Sequence, residues 1–298
     1  MTRSTRPVCA LTIAGSDSGG GAGIQADLKT FAAHGVHGLS AIAALTAQNT
    51  RAVTAVQVPA IAFLRAQIDA CFDDFRIGAV KIGMLANARV IHCVADALEA
   101  WQPKVIVLDP VMVASSGARL LQPAALQALR TRLLPMASVI TPNIPEAELL
   151  LGHAISDGAD AEAALVELLA LGARAVLLKG GHLPGKEMID RLDDGQALHE
   201  FVHPRLKVSG HGTGCTLASA IAANACLGMG LEEACAAASD YVHGALRHGY
   251  RAGRGEVTVL DHFWQRPNTV GAACVGADWR GGVFGGKKPG GRPRPRKA

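Results

Sequence analysis

The chain has 298 residues, of which 49% are hydrophobic, 18% charged and only 4% aromatic. This composition provides for a large core of aliphatic side chains, and the length fits a single α/β domain. The net charge of +4 does not support nucleic-acid binding, because residues 266–298 hold eight basic residues and one acidic residue. The remaining body, with 21 basic and 24 acidic residues, is slightly acidic.

Cellular location is indicated by three absences in the sequence. No apolar run approaches the roughly 20 residues that a membrane helix needs. The first residues lack the apolar stretch and cleavage site of a signal peptide. The seven cysteines form no C-x-x-C pair, which argues against a disulfide framework or a zinc site. We therefore expect a cytoplasmic protein with no membrane partner.

Short apolar runs alternate with helical patterns along the chain. Strands of this kind, apolar on both faces, are typical of a buried parallel sheet, and the alternation predicts right-handed βαβ units with helices on both faces. The predicted strands are Leu11–Ala14, Leu39–Leu45, Ala79–Ile82, Val105–Leu108, Ser138–Ile140 and Ala175–Leu178, and a hairpin is predicted from Glu187–Leu192 and Gln196–Phe201. The predicted helices are Pro59–Phe72, Asp160–Leu171, Thr216–Leu227 and Leu231–His248.

The periodic pattern stops at about Arg266. Arg280–Ala298 contains six glycines, three prolines and seven basic residues among nineteen. Such a segment buries too little apolar surface to offset its chain entropy. We therefore predict one folded domain, residues 1–265, followed by a disordered basic tail, residues 266–298.

Polar residues follow several of the predicted strands. Gly15, Asp109 and Lys179 come directly after a strand, and Asn143 follows another by a short turn. In an open α/β sheet, ligands bind outside the carboxyl ends of the strands. A single charge there is usually a solvated loop residue, but four such ends favour a ligand site.

The first glycine-rich segment, Gly15–Gly23, lies between a strand and a helix. This placement resembles a phosphate-binding turn, although the segment has no G-K-[ST] and is not a P-loop. Its match to G-x-G-x-x-G is weak in so glycine-rich a stretch. A dinucleotide site also needs an acid closing the second strand, where the chain has Thr46.

A second glycine-rich segment, Gly210–Thr216, opens an apolar helix. Its backbone N–H groups and the helix N-terminus form an anion hole suited to a phosphoryl group in transfer. Cys215 lies at the helix start, where a thiol pKa is lowered. The alternative for Cys215 alone is a buried cysteine in a tight turn.

A third segment, Thr141–Glu146, places Asn143 and Glu146 three residues apart. Their oxygens suit Mg²⁺, which takes one or two carboxylates together with phosphates and waters. A capping pattern at a helix start is the alternative.

These segments together resemble the hydroxymethylpyrimidine/phosphomethylpyrimidine kinases of thiamine biosynthesis, members of the ribokinase-like superfamily. The likeness covers roughly Ala10–Trp264. Seven segments carry it in order: residues 14–27 (AGSDSGGGAGIQAD), 46–50 (TAQNT), 81–84 (KIGM), 109–112 (DPVM), 141–146 (TPNIPE), 179–182 (KGGH) and 211–216 (HGTGCT). The resemblance implies a three-layer α/β fold, a homodimer, and ATP-dependent phosphorylation of the pyrimidine and then of its monophosphate.

The resemblance also implies roles for individual residues. The residues that surround the pyrimidine are Gly15, Asp27, Gln48, Met84 and Val111, and Gln48 both donates and accepts hydrogen bonds. The N–H groups of Gly212, Thr213 and Gly214 hold the phosphate, with Cys215 as base or as part of the hole. Lys179 neutralises the phosphates of ATP, while Asp109, Asn143 and Glu146 hold Mg²⁺ at the nucleotide.

Three alternatives remain at this stage. A pyridoxal kinase of the same superfamily has a ring substrate that also carries a hydroxymethyl group. A pyrimidine-binding sensor without catalysis needs neither Lys179 nor the glycine–cysteine hole. Nucleic-acid binding through the basic tail would be non-specific and salt-sensitive.

Overall fold

The computed structural model describes residues 6–113 and 120–266. Nine strands of this part form one sheet in the order β3-β2-β1-β4-β5-β6-β7-β8-β9. Their bounds are β1 (Cys9–Asp17), β2 (His37–Gln48), β3 (Val53–Gln57), β4 (Ile77–Ile82), β5 (Ile106–Leu108), β6 (Val139–Ile140), β7 (Val176–Leu178), β8 (Glu187–Asp193) and β9 (Leu198–Pro204). A second, two-stranded parallel sheet joins β10 (Gly210–His211) to β11 (Thr258–Val259).

The six central strands, from β2 to β7 in the sheet order, run parallel. The pairs at the two ends, β2–β3 and β7–β8–β9, are antiparallel. Strand β1 lies between β2 and β4, so the chain leaves β1 in one direction and later returns on its other side. A ligand crevice is expected at such a switch point.

Helices cover both faces of the sheet. The helices are α1 (Gly23–Ala33), α2 (Ile61–Asp74), α3 (Ala88–Trp101), α4 (Ala125–Ala128), α5 (Ile144–Leu151), α6 (Gly158–Ala170), α7 (Thr213–Cys226) and α8 (Leu231–Arg247). Side chains alternate between the faces along β1: Leu11 and Ile13 enter one apolar core, and Ala10 enters the other. The first core includes residues of α2, α3, α5 and α6, and the second includes residues of α1, α7 and α8. The three-layer α/β fold predicted from the sequence is therefore confirmed.

The predicted elements agree with the structure in type, and their ends differ by a few residues. The hairpin is present as β8–β9, and the helix predicted at Thr216 begins earlier, at Thr213. Helix α1 was expected only as the helix after the first glycine-rich segment, and α5 only as the capping alternative. Helices α3 and α4 and strands β3, β10 and β11 were not predicted. Apart from Arg266, the predicted tail lies outside the described residues and stays a prediction.

Within residues 6–113 and 120–266, no helix is long and apolar enough to span a membrane.

Candidate active site

A cavity of about 660 Å³ opens at the carboxyl edge of the parallel strands, beside the N-terminus of α7. Residues from β1, β2, β4 and the segments after β5, β6 and β7 line it. All the predicted site residues except Asp27 meet in this one cavity: Gly15, Gln48, Met84, Asp109, Val111, Asn143, Glu146, Lys179, Gly212, Thr213, Gly214 and Cys215.

One end of the cavity combines an apolar wall with one amide side chain. Met84 is buried against Ala44 and Val111. A Cβ on Gly15 would lie 2.7 Å from Met84 Sδ, so glycine leaves the room that this wall needs. Gln48 Oε1 accepts a hydrogen bond from Thr46 Oγ1 at 3.0 Å, which fixes the orientation of the amide. This end therefore suits a flat ring with polar edge groups.

Asp27 lies among buried polar side chains. Its carboxylate is fully buried and accepts hydrogen bonds from Thr12 Oγ1 at 2.6 Å and Ser219 Oγ at 2.7 Å. Lys81 Nζ lies 2.9 Å from Asp27 Oδ1 in an ion pair of which both side chains are inaccessible to solvent. Lys81 lines the cavity, whereas Asp27 does not. Asp27 thus holds Lys81 in place, and its contact with the pyrimidine stays a prediction.

In the first glycine-rich turn, the backbone N–H groups donate to Asp17, a residue of the same turn, and we call this turn closed. Asp17 accepts hydrogen bonds from the N–H groups of Gly19 (2.7 Å), Gly21 (3.1 Å) and Ala22 (2.9 Å). His211 Nε2 lies 3.1 Å from Asp17 Oδ2. Burial pushes the pKa of Asp17 up, but these hydrogen bonds outweigh burial and hold the pKa below its ordinary value. The prediction of a phosphate-binding turn here was wrong, because the N–H groups already have a carboxylate acceptor.

The second glycine-rich turn is open to the cavity. Gly212 has a φ of +85° and precedes α7, and no side chain caps this helix. Because Thr213, Gly214 and Cys215 are the first residues of α7, their N–H groups have no acceptor within the helix. The helix dipole adds partial positive charge at the same point. This geometry is suited to an anion, and the predicted anion hole stays a prediction.

The Cys215 thiol is half-buried on the cavity floor. Burial raises its pKa to about 11, although Lys81 and the N–H of Gly23 act in the opposite direction. The expectation that the helix N-terminus lowers this pKa was wrong, because desolvation of the thiolate is the larger effect. The thiol is protonated at neutral pH.

Lys179 lies between two carboxylates. Its Nζ is 3.0 Å from Asp109 Oδ1 and 3.7 Å from Glu146 Oε2. Burial opposes the charge on Lys179, but the two acids outweigh it and hold its pKa above the ordinary value. Burial raises the pKa of Glu146 to about 7, because the attraction of the Lys179 ammonium group does not offset the cost of burying the carboxylate. One ammonium group, that of Lys179, is therefore shared between the two carboxylates of Asp109 and Glu146.

Asn143 and Glu146 form a capping box at the start of α5. Asn143 Oδ1 accepts from the Glu146 N–H, and Glu146 Oε2 accepts from the Asn143 N–H, both at 2.8 Å. The capping alternative is therefore confirmed, and both residues also line the cavity. No cluster of three or more His, Cys, Asp or Glu side chains suited to a metal occurs within the described ranges.

Comparison with known proteins identifies the family. A family model described as phosphomethylpyrimidine kinase matches residues 17–260. The hydroxymethylpyrimidine/phosphomethylpyrimidine kinase of Rhizobium meliloti is 49% identical over 262 residues, which cover 86% of this chain and 98% of that protein. The chain belongs to the phosphomethylpyrimidine kinase family.

Solved structures share the fold of this kinase. A phosphomethylpyrimidine kinase of Clostridium difficile is 44% identical, with a TM-score of 0.72, and the match covers 79% of this chain and 98% of that one. An ADP complex of the Bacillus subtilis pyridoxal kinase is 35% identical, with a TM-score of 0.80, and the match covers 86% of this chain and 97% of that one.

Another part of the cavity wall in this kinase comes from the second half of the chain. Apolar side chains from the segment after β9 and from α8 line it, together with Arg205 and His182. These apolar residues are Leu206, Val208, Val242 and Leu246. No sequence pattern indicates this surface, because its residues come from segments that only the fold brings together.

Proposed function

We propose that this kinase transfers the γ-phosphoryl group of ATP to the hydroxymethyl group of 4-amino-5-hydroxymethyl-2-methylpyrimidine, and then to the resulting monophosphate, in thiamine biosynthesis. One observation carries the proposal: a ring-sized pocket with Gln48 and the uncapped N-terminus of α7 share a single cavity. Family membership supports the same substrate class.

The two ends of the cavity hold the two substrates. The pyrimidine lies against Met84 and Val111, with the Gln48 amide at its amino edge and Gly15 leaving room for the ring. ATP enters from the opposite end, where Leu206, Val242 and Leu246 supply an apolar surface for the base. The phosphoryl group is then transferred between the two substrates, at a position beside the anion hole.

The open turn stabilises the transferring phosphoryl group. The N–H groups of Thr213 and Gly214 face negative charge, and Lys179 adds a cation beside Gly214. Cys215 completes the hole as a neutral thiol. A loose transition state needs little early deprotonation of the alcohol, so a strong base is not required.

Asp109 and Glu146 fit a magnesium ion. Two buried carboxylates that share one ammonium group retain capacity for a cation, and carboxylates with phosphates and waters are the ligands that Mg²⁺ takes in kinases. Mg²⁺ bound there would neutralise charge on the phosphates of ATP.

Turnover with three acceptors side by side tests the function. With ATP and Mg²⁺, hydroxymethylpyrimidine and its monophosphate are expected to have higher kcat/KM values than pyridoxal. A higher value for pyridoxal than for both pyrimidines would make this a pyridoxal kinase. If none of the three acceptors is phosphorylated although the pyrimidine binds tightly, the protein is a sensor.

The metal ligands are tested by the pH dependence of stability. Because the pKa of Glu146 is raised to about 7, its contribution to stability is present below pH 4.5 and is lost as pH rises through 7. Glu146→Gln keeps the cap acceptor, so the variant is expected to lose this slope and to bind Mg²⁺–ATP more weakly. If the pH dependence of stability and the affinity for Mg²⁺–ATP are both unchanged in this variant, Glu146 is not a metal ligand.

We also propose a homodimer acting in the cytoplasm. Strand β3 is an edge strand with little burial, and Val56 on it is 43% exposed. An exposed strand edge with an apolar side chain is a common pairing surface. Sedimentation of the purified chain as a monomer at micromolar concentration would contradict the dimer.

A further inference from the structure

Arg205 follows β9 and places its guanidinium inside the loop between Lys179 and β8. Nε donates to the Gly185 carbonyl oxygen at 2.9 Å, and Nη1 donates to that of Gly181 at 2.7 Å. Nη2 donates to Leu183 at 2.6 Å and to Glu187 at 3.2 Å. Four carbonyl oxygens of one loop thus converge on a single side chain.

Besides Arg205, one other side chain holds this loop, since the Gly180 N–H donates to Asp190 Oδ1 at 2.9 Å. Gly180, Gly181 and Gly185 provide no side chains, and Gly185 has a φ of +135°. The Leu183 N–H donates to Gly180, and the Arg205 N–H donates to Lys186. A planar guanidinium with five N–H donors in a fixed fork satisfies several carbonyl groups at once, which the ammonium group of lysine does not reproduce.

The positive charge of Arg205 is not neutralised within the described part of the chain. All four of its side-chain acceptors are neutral carbonyl groups, and among the described residues no carboxylate forms an ion pair with it. Arg205 lines the cavity, as do Gly181 and His182 from the loop and Lys179 just before it. A cation solvated by carbonyl oxygens keeps its attraction for an anionic ligand.

We propose that Arg205 is a positioning residue for the nucleotide. It folds residues 181–187 into the wall of the ATP end of the cavity and directs positive charge to the polyphosphate. The proposal rests on the proposed function, because it assigns this end of the cavity to ATP. The acceptor end, at Gln48 and Met84, is expected to be unaffected.

Steady-state kinetics of three variants, with ATP and hydroxymethylpyrimidine varied in turn, test this role. Arg205→Lys keeps the charge and loses the fork, whereas Arg205→Gln loses both. We expect KM for ATP to rise about tenfold in Arg205→Lys and further in Arg205→Gln, the size of losing hydrogen bonds to a charged group. KM for the pyrimidine is expected to stay within about twofold. Arg132→Lys is the control, since Arg132 pairs with Asp96 and Glu99 outside the cavity.

Hydrogen exchange of the peptide spanning residues 181–187 separates the two parts of the proposal. Both Arg205 variants are expected to exchange faster there, and Arg132→Lys is not. An unchanged KM for ATP in both variants, or an equal rise of both KM values with a lower Tm, would overturn the proposal. If the wild type phosphorylates no pyrimidine, the proposed function fails, and direct titration with ATP still decides whether Arg205 serves nucleotide binding.

Discussion

The turn at residues 17–23 and the turn at residues 210–214 are both rich in glycine, and each precedes a helix N-terminus. In the first turn, Asp17 accepts from three N–H groups, so the turn is closed. In the second, no side chain caps α7, so the N–H groups face the cavity. The His211–Asp17 contact joins the two. Glycine content alone therefore does not distinguish an open turn from a closed one, whereas the presence or absence of an internal acceptor does.

Substitution of Gly212 is expected to have the largest effect. Its φ is +85°, and a Cβ would overlap the Gly21 carbonyl oxygen, so Gly212→Ala displaces the open turn. We expect kcat to fall by about 10²–10³-fold, the scale of a lost oxyanion-type donor. Gly228→Ala is the matched control, since Gly228 has a φ of +92° and free space around it. Equal kcat losses in both variants would mean that backbone strain alone, and not the open turn, is responsible.

Opening the closed turn is the next test. Asp17→Asn removes the charged acceptor and is expected to lower the free energy of unfolding by about 1.5–3 kcal/mol, measured in urea. Because the folded pKa of Asp17 is below its ordinary 3.8, this stabilisation is present above pH 3.8 and is lost as pH falls through the folded pKa. A difference between wild type and variant that grows at low pH would contradict this account of Asp17.

Replacing Cys215 tests what the open turn needs from its thiol. Since the pKa is about 11, the thiol is protonated at pH 7, and Cys215→Ser is expected to keep kcat within about tenfold of wild type. Cys215→Ala is expected to lose more, because it leaves a gap in the hole. If a thiolate were the reacting base, wild-type kcat would rise about tenfold per pH unit between pH 8 and 10, and the serine variant would not follow.

The smallest effect is expected at Gly20 in the closed turn. Its φ is +74°, and the nearest atom to a new Cβ is Lys29 Nζ at 3.9 Å. Gly20→Ala is therefore expected to cost about 1 kcal/mol of stability through strain and to leave kcat unchanged. A loss of kcat similar to that of Gly212→Ala would show that the two turns are functionally equivalent.

The sequence predicts the frame of this site well. Runs such as Leu11–Ala14 and Ala175–Leu178 are apolar on both faces because both faces of the sheet are covered, and they correspond to β1 and β7. Residues directly after parallel strands must meet at one edge, which places Asp109 and Lys179 together. The open turn was predictable because glycine spacing and a helix start occur within seven residues.

Partners that are distant in sequence account for the features that the sequence did not predict. Asp27 is removed from the cavity by Lys81, 54 positions away, and by Ser219, 192 positions away. The pKa of Cys215 depends on burial, which no local pattern reports. The loop around Arg205 depends on carbonyl groups, which every residue has, so its composition contains no signal for the contact.

The His211–Asp17 contact between the two turns is one of several contacts between distant parts of the chain, and these have a consequence for folding. His211 and Asp17 are 194 positions apart, and the Gly255 N–H reaches Thr50 across 205 positions. Closing such long stretches of chain is slow relative to forming helices, because entropy is lost before contacts compensate. After dilution from denaturant, helical circular dichroism should therefore return first, and phosphoryl-transfer activity should recover in a later phase.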